Sequence, residues 1–397
     1  HEMSVRGCPD CIAVVNPKLG DDFHYLCAAG VVFKLAHALL KRRKVDGFDL
    51  KDYIDMVAVA TVADIVPLVK ENRLLVRHGL KRLPQTSNAG LKALQQVAGL
   101  SDKVSSMDVG FRLGPRINAA GRMDRPEDAL SLLVEKDLET AHRIASLLDE
   151  YNCQRQAHEK QIRAEAMKMV HEQCDPVKDP VIVLGSRNWH PGVVGIVASR
   201  LMRQFYKPTF VISVDEDGLG KGSGRSVEGI SLVGAIQACP DDLISGGGHD
   251  MAAGLSIREE KLDDFRKNFS EYVLATTTKE QRAPRMNVDS EIDFDVLSLE
   301  FMDSYDLLQP FGSQNPQPVF MSREVWLTEA PRHLKNNHLK LFLRQGISEH
   351  DAIFFGGGER TLPDPPWDVA FTIDRNTFRG RTSLQMVIQD VRPSHPE

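Results

Sequence analysis

The chain has 397 residues, more than one hydrophobic core usually organises, so two or three domains are expected. At 42% hydrophobic and 26% charged residues its composition is globular, no apolar run approaches the ~20 residues of a membrane span, and no basic, apolar leader opens it, which makes the cytoplasm the expected compartment. A formal net charge of −6 excludes whole-surface attraction to nucleic acid, so any such contact must be a local groove.

In chain order, residues 12–17 read as a buried strand stopped by Asn16-Pro17. Residues 27–43 carry apolar side chains at helical spacing, and a second helix is expected over residues 50–60. An apolar run over residues 61–68 follows. This alternation predicts an α/β layer whose first strands are missing. Within that run Asp64 is a carboxylate in apolar surroundings, which would be costly to bury unless paired or bound to a metal. The alternative is an N-cap before Ile65. The basic clusters at residues 41–44 and 77–82 are either solvated helix faces or parts of a groove.

Residues 114–122 combine Arg116, Asn118 and Arg122 with small residues that permit close backbone approach. They form either a ligand-contacting junction or a tightly packed helix and loop. Residues 127–173 are nearly glycine-free and apolar at three- and four-residue steps, predicting one or two long helices. Asp175-Pro176 and Asp179-Pro180 end them, and a second α/β domain begins with the strand Val181-Ile182-Val183-Leu184.

In that domain Trp189-His190-Pro191-Gly192 precedes a helix expected over residues 193–206, and His190 either faces a cleft or caps that helix. Gly220-Lys221-Gly222-Ser223-Gly224-Arg225-Ser226 reads as a flexible loop, either a phosphate cradle or a plain hairpin turn; it lacks the Walker ending. Ser245-Gly246-Gly247-Gly248-His249-Asp250 is the most specific local signal. Three ordered glycines beside a histidine, ahead of an expected small-residue helix start, point to backbone contact with a ligand.

After residue 278 the pattern changes to short alternating segments, at residues 318–321, 338–344, 352–355, 369–373 and 383–388, as in a small OB-like β-barrel. Phe342, Phe354, Phe371 and Phe378 are its candidate base stackers, with core packing as the alternative. Of the six cysteines only Cys8 and Cys11 form a CxxC pair, which alone does not make a zinc site.

Taken in order, residues 13–17, 26–34, 61–68, 114–123, 189–200, 221–226, 246–255, 311–320, 338–340 and 380–390 resemble the RecJ family of single-strand-specific exonucleases in the DHH phosphoesterase superfamily. The resemblance implies four segments: the C-terminal part of a DHH catalytic domain (1–125), a connecting helix (126–175), a DHH-associated substrate-binding α/β domain (176–278) and an OB-like nucleic-acid-binding barrel (279–397). It implies a two-metal site with Mn2+ or Mg2+, Asp64 as its last aspartate and His1 as the second histidine of the Asp-His-His signature. The family's first-strand aspartates have no counterpart in these 397 residues, so they are expected to bind a strand better than they cut one.

Further implied substrate ligands are Arg116, Asn118, Arg122, His190, Ser223, Arg225, Gly247, Gly248 and His249. The expected activity is 5′-to-3′ hydrolysis of single-stranded DNA to mononucleotides in repair and recombination. A monomer is expected, with single-strand-binding protein or a helicase as possible partners and no membrane. The competing readings are an oligoribonuclease or cyclic-dinucleotide phosphodiesterase of the same superfamily, and a non-catalytic replication scaffold.

Overall fold

The computed structural model describes residues 9–20, 23–100, 102–175, 178–378 and 380–394. Helices α1 (Ala28–Arg42), α2 (Ile54–Ala63), α3 (Lys70–Arg82), α4 (Ala89–Val97), the single turn α5 (Ser106–Asp108), α6 (Gly114–Arg122), α7 (Pro126–Val134) and α8 (Leu138–Gln173) precede the first strand. There follow β1 (Ile182–Ser186), α9 (Val194–Phe205), β2 (Thr209–Val214), β3 (Leu219–Arg225), α10 (Leu232–Ala238), β4 (Leu243–His249), β5 (Ala252–Arg258) and α11 (Leu262–Thr276). The C-terminal part contains β6 (Ser290–Glu291), α12 (Leu299–Tyr305), β7 (Phe320–Leu327), β8 (Arg332–Leu334), β9 (His338–Gln345), β10 (Ser348–Phe354), β11 (Trp367–Phe378) and β12 (Arg381–Pro393).

The chain forms two compact units, one of His1–Pro84, Asp102–Gly110 and Met286–Glu397, the other of Gln85–Ser101 and Phe111–Arg285. In the first unit α2 is buried on most of its circumference, through Val57, Ala58, Val59 and Thr61. It crosses α3 closely, since a Cβ on Gly79 would stand 2.4 Å from both Ala58 Cβ and Ile54 O. Any larger residue there would part the helices.

The expected strand over residues 12–17 is not found. Ile12, Val14 and Val15 are exposed, and Asn16 instead caps a 3-10 turn through its side chain on the Lys18 amide. A strand needs a partner, and among the described residues none pairs with this segment. The apolar run over residues 61–68 is divided between two conformations: α2 runs on through Ala63 and the chain then turns, with Ile65 at φ 54.

The barrel has the strand order β6-β7-β11-β12-β10-β9-β8, and a further pairing of β7 with β9, Trp326 opposite Arg344, closes it. Closure removes the exposed edges that an open sheet would leave. Alternation along the strands sends Leu339, Leu341 and Leu343 inward around Trp367, Phe371 and Phe294. Each segment of alternating residues read from the sequence overlaps one of β7, β9, β10, β11 and β12.

The second unit is a three-layer α/β arrangement with sheet order β1-β2-β3-β5-β4. Alternate residues of β1 and β2 serve opposite cores. Val181, Val183, Phe210 and Ile212 join α10 and α11, where Phe210, Phe265 and Phe269 meet with ring centroids 5.4 to 5.8 Å apart. Ile182, Leu184 and Val211 join α8 and α9 through Ile162, Ala166, Trp189, Val197 and Leu201.

Residues 219–225 form β3, paired with β2 and β5, and not the expected flexible loop. Its alternating glycines have a packing cause: a Cβ on Gly220 or Gly222 would lie 2.8 Å from Ile212, and one on Gly224 2.4 Å from Phe210. The helix expected after His249 is instead β5, reached through a hairpin turn at Asp250-Met251. Among the described residues no helix is long and apolar enough to cross a membrane.

Candidate nucleic-acid interface

Strand register in the second unit assembles a polar surface from residues far apart in sequence. Val211, opposite Ser223, packs towards α8 and α9, so Ser223 and Arg225 project on that same face, away from the glycine-packed core. Across the sheet Ser223 is in register with Gly254 and then Gly247, and Arg225 with Ala252 and then His249. Two parallel rows result, with Arg225 and His249 about 10 Å apart at the usual strand spacing. Gly247, Gly248 and His249 are all exposed on the edge strand β4.

The start of α9 closes over Ser223 and Arg225. A Cβ on Gly195 would lie 2.8 Å from Ser223 Oγ and 3.2 Å from an Arg225 terminal nitrogen. Val193 at the helix start supplies no side-chain cap. The start of the helix, and with it the positive end of the helix dipole, therefore lies beside the two side chains. Arg225 Nη1 donates to Ser223 Oγ at 3.0 Å and to Gly224 O at 2.7 Å, which fixes the guanidinium. Together these groups make an anion cradle.

Arg122, at the end of α6, donates to Gly192 O at 3.0 Å in the turn entering α9. A Cβ on Gly192 would meet Arg122 O at 2.4 Å, so this close approach demands glycine. Burial, then the charge of Arg155, push the Arg122 guanidinium below the usual arginine range, and burial followed by Arg122 does the same to Arg225. Both remain charged at neutral pH because an arginine starts so high. Gathered cations held out of water in this way are stabilised by an incoming anion.

His190 lies on the same approach: its Nδ1 accepts from the Gly192 amide at 3.1 Å, and its ring stacks on His158 of α8 at 5.2 Å. It thus orders the turn ahead of α9. Arg116 is committed elsewhere, to Asp149 at 2.8 Å and to Arg112 O at 2.6 Å. Asn118 is exposed, one helical turn before Arg122.

Sequence reading missed Arg155, His158, Glu159 and Arg200. Glu159 accepts from Arg155 at 2.8 Å and also from Arg200, while Arg155 donates twice to Asn152. The signal was present, because Leu148, Asn152, Arg155, Glu159 and Ile162 fall on one buried stripe of α8, where polar residues in an apolar register mark a network. Glu159→Gln leaves two guanidinium groups without their shared counter-charge. We expect urea unfolding to show a loss of about 3 kcal/mol; a loss below about 0.5 kcal/mol would make the network a surface feature.

In the first unit Asp64 is exposed and forms the C-cap of α2, with its amide on Ala60 O at 3.0 Å. This corrects both the burial argument and the N-cap alternative. A carboxylate at the negative end of a helix is electrostatically misplaced, and a cation bound there would offset it. Its hard oxygen donors suit Mn2+ or Mg2+. Among the described residues no three His, Cys, Asp or Glu side chains come together as a metal site. His1 and Cys8 lie outside the described residues.

On the barrel, Phe354 and Phe371 are core residues, which corrects their assignment as stackers. Phe342 is only partly buried, with Arg332 4.5 Å and Lys340 5.0 Å from its ring centre. The Phe378 side chain lies outside the described set. Lys340, Phe342 and Arg344 share the outward face of β9, with Trp326 of β7 opposite Arg344. Trp326 is 46% exposed, a better stacking candidate than the buried phenylalanines.

The α/β unit with its gathered cationic face and the closed OB-type barrel define the class of protein by fold, and family models match both domains. A DHHA1 domain model matches residues 178–275 and a RecJ OB domain model residues 288–390. The single-stranded-DNA-specific exonuclease RecJ of Haemophilus influenzae is 33% identical over 416 residues, covering 99% of this chain and 72% of the relative. That of Bacillus subtilis is 35% identical over 395 residues, 97% of this chain and 49% of the relative. The crystal structure of RecJ from Thermus thermophilus in complex with Mg2+ aligns with a TM-score of 0.83 at 31% identity, over 96% of this chain and 58% of that one. The chain belongs to the RecJ family. It spans about half the length of the Bacillus relative.

Proposed function

We propose that the intact protein is a metal-dependent exonuclease that degrades single-stranded DNA from its 5′ end to mononucleotides. One observation carries the reading. Ser223, Arg225 and the start of α9 form an anion cradle with Arg122 close by, on a sheet face whose outer strand is opened by Gly247. Such a cradle suits a terminal phosphate, while the glycine edge lets the adjoining backbone approach closely.

In this reading Arg122 and Arg225 hold the 5′ phosphate, Ser223 orients Arg225, and His249 and Gly248 contact the next nucleotides. His190 keeps the turn before α9 in shape, and Arg116 and Asn118 line the approach. Asp64 is a metal ligand and His1 a second one. Mn2+ or Mg2+, when bound, supplies a water activated for attack and stabilises charge on the phosphoryl oxygens. The residues of this chain chiefly bind, orient and exclude duplex. Trp326 and Phe342 on the barrel add stacking and cationic contacts for a strand.

The domain scheme 1–125, 126–175, 176–278 and 279–397 is part of this proposal, as are a monomeric state, a cytoplasmic location, action in DNA repair and recombination, and single-strand-binding protein or a helicase as partner.

Degradation of 5′-labelled oligonucleotides in Mn2+ tests it. Single-stranded DNA with a 5′ phosphate is expected to be shortened and blunt duplex spared, and Arg225→Ala should erase the preference for a 5′ phosphate over a 5′ hydroxyl. It should also weaken strand binding more at low salt than at high. Equal attack on duplex, or preference for di- and trinucleotides, would replace this reading with the oligonucleotide phosphodiesterase alternative. Strand binding with neither Mn2+ binding nor cleavage would leave the non-catalytic scaffold.

A further inference from the structure

The turn that carries Asp64 is an unfavourable one. Ile65 is β-branched yet sits at φ 54, a conformation that persists only where neighbours hold it. Part of the hold is local: Ile65 N donates to Val62 O at 3.1 Å and Val66 N to Thr61 O at 3.2 Å. Buried Asn72 of α3 donates to Pro67 O at 3.0 Å and to Tyr25 O at 2.7 Å.

The rest comes from a segment more than two hundred residues later. Residues 307–315, between α12 and β7, fold into a closed loop in which Gly312 and Asn315 exchange backbone hydrogen bonds at 2.9 and 3.1 Å. The Asn315 side chain ties the loop from inside, donating to Leu308 O and Pro310 O. The loop turns four carbonyls on the helices of its own unit. Ser313 O accepts from Leu68 N at 2.7 Å, Leu307 O and Leu308 O accept from Arg73 at 2.9 and 2.8 Å, and Phe311 O accepts from Ser106 Oγ at 2.6 Å. Gly312 lies against Leu68, since a Cβ there would stand 2.7 Å from Leu68 Cδ1. Four residues after Asp64, Leu68 is thus gripped by both backbone and side chain.

We propose that residues 307–315 are a positioning strap for the Asp64 turn, with Arg73 and Gly312 as its positioning residues. The proposal rests on the reading of Asp64 as a metal ligand. On it the base of the barrel has a task separate from gripping the strand, namely holding a metal ligand at its angle. Groups hydrogen-bonded directly to a metal ligand typically alter metal affinity by about 10- to 100-fold when removed, and the strap acts one step further out, through Leu68.

The test is Mn2+ titration of the intact protein without DNA, on Arg73→Met, Arg73→Lys and Gly312→Ala, beside strand binding in chelator and thermal unfolding. Arg73→Met and Gly312→Ala are expected to weaken Mn2+ binding by about tenfold or more. Strand affinity in chelator should hold, and the cleavage rate should recover at saturating Mn2+. Arg73→Lys, whose ammonium can still serve both carbonyls, should restore most of the affinity. Unchanged Mn2+ affinity in both disruptive variants overturns the strap, as does a parallel fall in strand affinity and cooperative unfolding, which a general structural role would produce. Asp64→Ala separates the two readings. If it keeps full Mn2+ affinity, the ligand reading and the strap fall together; if it loses affinity and the strap variants do not, the strap alone falls.

Discussion

Asp64→Ala in the intact protein is expected to lower cleavage of 5′-phosphorylated single-stranded DNA by at least about a thousandfold, the equivalent of roughly 4 kcal/mol of transition-state stabilisation. The fold should survive. Asp64 is exposed at the end of α2, and its carboxylate opposes the helix dipole, so the unfolding free energy in chelator should stay within about 1 kcal/mol of the parent. Strand affinity in chelator should also be unchanged, because the anion cradle of Ser223 and Arg225 is built from other residues. Single-turnover cleavage beside chemical denaturation makes the check. Full activity would remove Asp64 from the metal site, and loss of activity with loss of fold would return it to a structural role.

The second large effect is expected at Gly247, where stability and function should move in opposite directions. A Cβ on Gly247 would meet nothing within 4 Å, and its φ lies outside the left-handed region. Packing and backbone conformation therefore leave its glycine unexplained. Gly247→Ala should stabilise the protein by about 0.4–1 kcal/mol by restricting the unfolded chain. On the proposed path of the strand the same methyl group would stand in the way, and strand affinity should fall by about tenfold or more, as for a lost hydrogen-bonded contact to a charged group.

Gly224→Ala supplies the contrast. Its methyl would press on the Phe210 ring at 2.4 Å inside the aromatic core, costing about 1–3 kcal/mol. Urea unfolding with fluorescence-polarisation titrations distinguishes the two. If Gly247→Ala binds as tightly as the parent, no strand passes over β4.

Which glycine serves the core and which serves a ligand was not legible from composition. Residues 220–226 read as a flexible loop and residues 245–254 as an ordered glycine run ahead of a helix, yet they form three neighbouring strands. The first run owes its glycines to Phe210, Ile212 and Leu255, contacts made by residues distant in sequence. In the second, Gly246 packs on Ile236 and Gly248 is forced to φ 142, leaving Gly247 as the one of the three whose Cβ direction is open. Local patterning could single out the segments but not sort the positions within them. Residues 12–17 show the opposite error, since their β-branched run reads as a strand while no described strand pairs with it.

Periodicity and punctuation by themselves determined the long helix α8, the alternation of the second α/β unit and the strands of the barrel, because amphipathic spacing and turn residues are local properties. Motif order by itself pointed to the family and to Ser223, Arg225, Gly247 and His249 as a set. Tertiary structure alone decided how those residues meet, since only the register β3–β5–β4 sets Arg225 and His249 in one row and Ser223 and Gly247 in the next. It also decided that Arg116 is committed to Asp149, that Arg155 and Glu159 lie buried behind Arg122, and that the Asp64 turn leans on residues 307–315. These are contacts between positions tens to hundreds of residues apart. Their energies come from burial and hydrogen-bond geometry in the folded chain, which no local window of sequence contains.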